Sequence, residues 1–318
     1  MDQDFKKGVE HAYRRIKDDV LRTDCALDPG LSRAQGADIR VKWESRQRTG
    51  SFKIRGALNK VRSLPARRAG AGLVSASTGN HGLAMCWAAA REDVPLVLFL
   101  PETVARHKLD MLKRFPVRIE LRGESCEEAE VQARRWADET GRVFVSPYND
   151  IEVVFGQGTV GFEIARQVRD VQYVLVPVGG GGLAAGIAGY LKSRDPGIRI
   201  IGVEPAASAF MSASIRAGRI VSIPEKPTAA DAVAGGIEPG SITFDLCRTL
   251  IDDWIEVTEG TIREAEAVLN GRGRGPVEPA GALALAGLMS GPERFQGRSV
   301  VLIASGGNSG RASANDGA

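Results

Sequence analysis

Short apolar, β-rich runs alternate with longer amphipathic ones along most of this chain. Runs at 39–43, 71–75, 95–100, 117–121, 142–145, 173–178, 198–203 and 299–304 have the length and composition of buried strands. Between most of them the apolar positions recur at helical spacing, as at 51–63, 80–91, 105–114, 124–139, 157–168, 183–193 and 278–289. Strand–helix alternation of this kind predicts an α/β fold of mainly parallel sheet with helices on both faces. The opening MDQDFKKGVEHAYRRIKDDV is charged and helical in pattern, so it does not read as a secretory signal. A polar turn at SPYNDIEV, residues 146–153, follows four β/α units and is the candidate crossing between two domains. The closing SGRASANDGA reads as a frayed polar tail.

In open α/β sheets, ligands collect at the carboxyl ends of strands. Three small-residue loops follow such ends: SASTGNHG, VPVGGGGLAAG and IASGGNSG. In the second, a strand runs into Gly179, Gly180, Gly181 and Gly182, and an alanine-rich helix leaves them. Glycines let backbone N–H groups crowd around an anion, and a helix N-terminus adds partial positive charge, so this loop suits a phosphate. An ordinary tight β–α turn has the same composition. Gly180-x-Gly182-x-x-Ala185, with Glu204 at a later strand end, also fits a dinucleotide fingerprint loosely. The first loop presents Ser77, Thr78, Asn80 and His81 beside free N–H groups, which suits a carboxylate, or is simply a capped helix start. In the third, Ser305 has a hydroxyl to turn toward a ligand, although a plain turn explains it as well.

TGSFKIRGA places Lys53 between two glycines, with Phe52 against it and Arg55 two places on. An amine becomes a nucleophile toward an aldehyde when desolvation or a nearby cation lowers its pKa. Phe52 is expected to supply the apolar setting and Arg55 the positive field. Taken alone, Lys53 is equally an ordinary basic residue on a helix. Combined with a phosphate cradle and a carboxylate loop, it describes a site for pyridoxal phosphate holding an amino acid.

The totals narrow the class further. With 318 residues, 43% hydrophobic and 25% charged, the chain can bury a large core. A net charge of +3 without a basic, aromatic-rich cluster argues against nucleic acid as a partner. Cys25, Cys86, Cys126 and Cys247 form no C-x-x-C pair, which argues against structural zinc and disulfides and fits a cytoplasmic location. The apolar stretch VPLVLFLP is too short to span a bilayer, so no membrane partner is expected.

The chain resembles the fold-type II pyridoxal-phosphate enzymes, in particular the serine/threonine dehydratase family that includes serine racemase. The likeness runs from Arg22–Thr23 through KWESRQRTGSFKIRGA, SASTGNHG, GQGTVGFEI, VPVGGGGLAAGIA, GVEP and EPAGALALAGL to SGGN. It implies two open, mainly parallel twisted sheets flanked by helices, as in the tryptophan synthase β chain, with the cofactor between domains. Residues 1–66 and 149–318 would form the large cofactor domain, and 67–148 a small, mobile domain carrying the substrate loop. Lys53 would carry pyridoxal 5'-phosphate as a Schiff base and act as base, with Thr78 a second catalytic group. Phe52, Lys53, Asn80, Gly179 to Gly182, Leu183, Glu278 and Ser305 would bind the cofactor, Asn80 at the ring's 3-oxygen and Ser305 at its nitrogen. Ser77, Thr78, Gly79, Asn80 and His81 would hold the substrate carboxylate.

The activity implied is elimination of water and ammonia from a β-hydroxy amino acid, L-threonine or L-serine, giving a 2-oxo acid. A homodimer is implied as well. The alternatives are a serine or other amino-acid racemase, or a dehydratase of the hydroxyectoine-pathway, 3-hydroxyaspartate or phenylserine type. STGNHG resembles the dehydratases of ectoine and hydroxyectoine breakdown, and Ala232 follows Asp231 where the family usually shows Asp-Gly. The long C-terminal extension of feedback-regulated threonine dehydratases is not seen, so amino-acid regulation there is not expected. Serine racemase-like relatives hold a metal with the glutamate of GVEP and a carboxylate six residues on. Here position 210 is Phe210, so no metal is expected, and Glu204 is expected to be a solvated acid at a strand end.

Overall fold

A computed structural model describes residues 2–308; the polar tail at 309–318 lies outside the described residues. The chain opens with α1 (Asp2–Ile16), β1 (Cys25–Leu27), α2 (Pro29–Gln35) and β2 (Asp38–Trp43). It continues with α3 (Lys53–Ser63), α4 (Ala66–Gly70), β3 (Leu73–Ala76), α5 (Asn80–Arg91), β4 (Leu96–Leu100) and α6 (Arg106–Leu112). Next come β5 (Arg118–Leu121), α7 (Cys126–Thr140), β6 (Val143–Phe144), α8 (Ile151–Gln167), β7 (Tyr173–Pro177) and α9 (Gly182–Lys192). The remainder is β8 (Arg199–Pro205), α10 (Phe210–Ala217), α11 (Ile242–Leu250), β9 (Asp253–Val257), α12 (Glu259–Asn270), α13 (Pro279–Met289) and β10 (Ser299–Ala304).

The strands form two sheets. One has the order β1-β2-β10-β7-β8-β9 and the other β5-β4-β3-β6. Every pairing is parallel except β1 with β2. This is the α/β arrangement the alternation predicts. Side chains alternate between faces along each strand. Val174 and Val176 of β7 join a core with α1, α8 and α9, whereas Leu175 joins the opposite core with α13. In the small sheet Leu96, Leu98 and Leu100 face α3 and α5, while Val97 and Phe99 face α7.

Where element boundaries differ from the pattern, local chemistry explains it. α8 starts at Ile151, well before 157, because the Asp150 carboxylate accepts from Glu152 N (2.9 Å) and Val153 N (3.3 Å) and caps it. β9, an unexpected strand, lies at the sheet edge and carries Asp253 and Glu256, so it lacks an apolar run. Glu204 is not solvated. It is 1% exposed, and its carboxylate accepts from Met211 N (2.9 Å) and Ser212 N (2.8 Å) at the start of α10. Burial pushes its pKa up to about 7.

Two features fix α3, and with it Lys53. The first is backbone contact: a Cβ at Gly156 would lie 2.5 Å from Arg55 O and 2.6 Å from Gly56 Cα. Two residues on, a Cβ at Gly158 would lie 2.9 Å from Gly186 O, so GQGTVG lets α8 pack directly on both α3 and α9. The second is a buried charge cluster. Arg55 donates to Glu44 (2.7 and 2.8 Å) and to Glu163 (2.8 and 3.0 Å), and Lys42 donates to Glu163 (2.6 Å) and Thr23 O (2.7 Å). Burial alone would raise the Glu44 pKa, but the Arg55 charge and hydrogen bonds hold it below the usual range. Burial likewise works against the Arg55 cation, and Glu44 and Glu163 more than offset it.

Removing one partner leaves uncompensated buried charge, so Arg55→Met is expected to cost about 3–5 kcal/mol in a urea titration. Gly156→Ala, which forces two helix backbones apart, is expected to cost about 1–3 kcal/mol in the same measurement. A loss under 0.5 kcal/mol in either would contradict this account of how α3 is held.

Candidate active site

β2, β10 and β7 are neighbours and parallel, so their carboxyl ends open at one edge of the sheet. The segment after β2 leads to Lys53, the loop after β10 holds Ser305, and the loop after β7 holds the four glycines. Ser51 pairs with Gly306, Phe52 N donates to Ser305 O (3.1 Å) and Gly307 N to Gly50 O (2.9 Å). This short antiparallel bridge ties the start of α3 to the end of β10. Gly50 makes the turn possible with φ 71°, the left-handed region that suits glycine.

Lys53 is the first residue of α3, half-buried, with its Nζ donating to Pro147 O (3.1 Å) and lying 5.2 Å from the Phe52 ring centre. Burial lowers its pKa to about 8. The expected field from Arg55 is not the cause. That guanidinium is paired with Glu44 and Glu163, and burial of the amine is the cause of the shift.

Lys53 and Phe52 open on a cleft whose other walls are Asn80, Tyr148, Pro177, Gly179 to Gly182, Leu183, Ala232, Val233, Glu278, Ala280 and Ser305. Among the described residues, the N–H groups of Gly179 to Leu183 have no hydrogen-bond partner. They stand at the N-terminus of α9, where the aligned peptide dipoles favour an anion. The glycines also answer a packing demand. A Cβ at Gly179 would meet Val233 O at 2.7 Å, and one at Gly181, where φ is 83°, would meet Met211 Cε at 2.8 Å. A phosphate fits this cradle, and an aldehyde within reach of Lys53 fits the remainder of the cleft.

Asn80 reaches the cleft from the small sheet's side. Its Nδ2 donates to Glu278 Oε1 (2.6 Å), and Asn308 Nδ2 donates to its Oδ1 (2.7 Å). Burial pushes Glu278 up to about 7 despite the Asn80 amide. The rest of the 77–81 loop lies outside the cleft wall: Ser77, Thr78 and Gly79 are half-buried, with Ser77 Oγ accepting from Gly79 N (3.3 Å). His81 differs from expectation. Its imidazole turns beneath the loop, with Nε2 3.1 Å from Ser75 Oγ and 3.3 Å from Val145 O. Burial, then the Lys53 charge, lowers its pKa to about 3. What His81 offers a carboxylate is its N–H, which with those of Asn80 and Gly82 has no partner among the described residues at the start of α5.

Tyr148, Pro177, Ala232, Val233, Ala280 and Asn308 line or brace the cleft and carry no chemical signal that sequence reasoning uses. Tyr148 sits in the 146–153 turn, and Ala232 in the segment that departs from the family pattern. Among the described residues no group of three or more His, Cys, Asp or Glu is placed to hold a metal ion.

A neutral amine is the reactive form. With a pKa of about 8, Lys53 is mostly protonated at pH 6 and mostly neutral at pH 9. Capture of pyridoxal phosphate by cofactor-free protein is therefore expected to accelerate with pH and level off above about 8, and to vanish in Lys53→Ala. A rate still climbing toward pH 10.5, the ordinary lysine value, would refute the desolvated setting.

Comparison with known proteins places this geometry in context. The family model for pyridoxal-phosphate dependent enzymes matches residues 16–306. An L-threonine ammonia-lyase of Thermotoga maritima is 37% identical over 302 residues, 95% of this chain and 75% of its own. The processed threonine deaminase isoform 2 of Solanum lycopersicum superposes with a TM-score of 0.93 at 32% identity, covering 98% of this chain and 91% of that one. Maize serine racemase superposes with a TM-score of 0.90 at 31% identity, covering 96% and 93%.

Proposed function

Because the chain belongs to the pyridoxal-phosphate-dependent enzyme family, we propose that it is an ammonia-lyase converting L-threonine or L-serine to a 2-oxo acid and ammonia. The observation that carries the chemistry is the meeting of a near-neutral Lys53 amine and the Ser305 hydroxyl in one cleft with the glycine cradle. The substrate class follows the relatives named as threonine ammonia-lyases.

Gly179 to Leu183 would hold the cofactor phosphate, Phe52 would flank its ring, and Asn80, Glu278 and Ser305 would meet its polar edge. When bound, the cofactor supplies an electron sink for the pair released at the substrate's Cα, and a serine rather than an acid at its ring nitrogen keeps that sink shallow. Lys53 takes the Cα proton, a role its lowered pKa permits near neutral pH. The N–H groups of Asn80, His81 and Gly82 bind the substrate carboxylate and fix which bond at Cα is broken. Closure of loop 75–82 over the substrate excludes water. The β-hydroxyl then leaves as water, taking up one proton that balances the one Lys53 removed from Cα, and addition of water to the remaining enamine yields the 2-oxo acid and ammonia.

The small sheet (β3 to β6) and the helices between its strands support residues 67–148 as the mobile substrate-loop domain, with 1–66 and 149–318 as the cofactor domain. No helix among the described residues is long and apolar enough to cross a membrane. A cytoplasmic homodimer is the assembly the resemblance supports.

A second reading is favoured by the likeness to maize serine racemase and by Thr78, whose hydroxyl stands in the substrate loop as a second acid–base group. A panel of L- and D-β-hydroxy amino acids separates the two. We expect 2-oxobutanoate from L-threonine and pyruvate from L-serine, with little D-serine in the recovered substrate. D-serine forming faster than pyruvate would make the protein a racemase. Keto acid arising only from 3-hydroxyaspartate, phenylserine or a hydroxyectoine-derived substrate would move it to another dehydratase branch.

A further inference from the structure

We propose that Tyr148 is a positioning residue for the anion cradle: its ring is the wall against which Gly180 lies, its Cα and Cβ stand beside Gly182, and together they hold the loop's N–H groups toward the cleft. The residue stands where the chain passes from β6 into α8, and nothing in its sequence surroundings marks it. A Cβ on Gly180 would overlap the Tyr148 ring, and one on Gly182 would lie 3.2 Å from Tyr148 Cα and Cβ. Ring and loop are therefore in direct contact at Gly180.

The tyrosine is itself held at several points. Its hydroxyl accepts from Glu238 N (3.0 Å), and its own N–H donates to Ser146 Oγ (3.4 Å). Glu238 pairs with Arg134 of α7 (2.6 Å), so the support continues into the small sheet's layer. The adjacent Asn149 Oδ1 accepts from Ile242 N (2.9 Å) at the start of α11. From that helix Thr243 Oγ1 donates to Gly180 O (2.6 Å), which pins the other side of the same peptide. Gripped between Tyr148 and Thr243, the loop cannot rotate its peptides away from an incoming anion. Four consecutive glycines have wide conformational freedom of their own, so such a cradle is preorganised only if its surroundings hold it.

The proposal rests on the glycine loop being the phosphate site, and its test separates the two. Cofactor-free wild type, Tyr148→Leu and Tyr148→Phe are titrated with pyridoxal phosphate and with pyridoxal, which lacks the phosphate, while thermal unfolding reports on folding. Wild type is expected to prefer the phosphorylated ligand strongly. Tyr148→Leu should lose about tenfold of that preference, through weaker pyridoxal phosphate binding with pyridoxal nearly unchanged. Tyr148→Phe, which keeps the ring and loses only the Glu238 link, should lose about threefold. Equal weakening of both ligands, or no change of preference, would overturn the proposal. If Tyr148→Leu does not fold, Tyr148→Phe decides by the same criterion. Absence of any preference in wild type would overturn the phosphate assignment of the loop and this proposal with it.

Discussion

An amine that must work uncharged has to be kept out of water, and the structure depends on how that is done at Lys53. The lysine begins a helix that is clamped on its buried side and open on its other. Arg55, two residues on, turns into the protein and is enclosed by Glu44 and Glu163, while Gly56 meets Gly156 with no side chain between. The charges in that cluster balance as it fixes the helix. Desolvation alone then lowers the lysine's pKa. The motif thus places Lys53 at the cleft and Arg55 and Gly56 in the packing that holds it there.

The glycines of the cradle show the same economy. Their N–H groups are available to an anion because their Cα atoms are pressed against Tyr148, Val233, Met211 and Cys247. Flexibility is a poor description of such a loop. Lack of a Cβ is used here for close approach, and neighbouring side chains remove the freedom that glycine would otherwise bring. Adjacent parallel strands β2, β10 and β7 deliver the lysine, the serine and the cradle to one edge, which is why three segments remote in sequence make one cleft.

Across the cleft, the small sheet contributes mostly backbone. His81 is neutral and buried beneath its loop, and the N–H groups at the start of α5 have no partner among the described residues. Asn80 is the side chain that reaches across, to Glu278 and Asn308. A site divided in this way gains its geometry only when both layers are in place.

Much of this was legible in the chain alone. Strand and helix periodicity marked the main elements, since a buried strand between helices must be apolar over several residues. The lysine, the glycine loop and Ser305 were visible because each needs a particular residue type at a strand end. Edge strand β9 was not, because it is short and carries Asp253 and Glu256 among its apolar residues. Nor was the fate of polar groups. Arg55 was read as a field and is an ion-pair anchor; Glu204 was read as solvated and caps the buried start of a helix; the imidazole of His81 was read as facing a ligand and is buried beneath its loop. Composition and spacing determine which groups exist and roughly when the chain turns. Only the tertiary packing decides which of them lose water and which partner they meet, because burial and charge pairing depend on how separate segments come together, Arg55 and Glu163 being 108 residues apart. Tyr148 is the clearest case, an ordinary tyrosine in a polar turn until the fold sets it against the glycines.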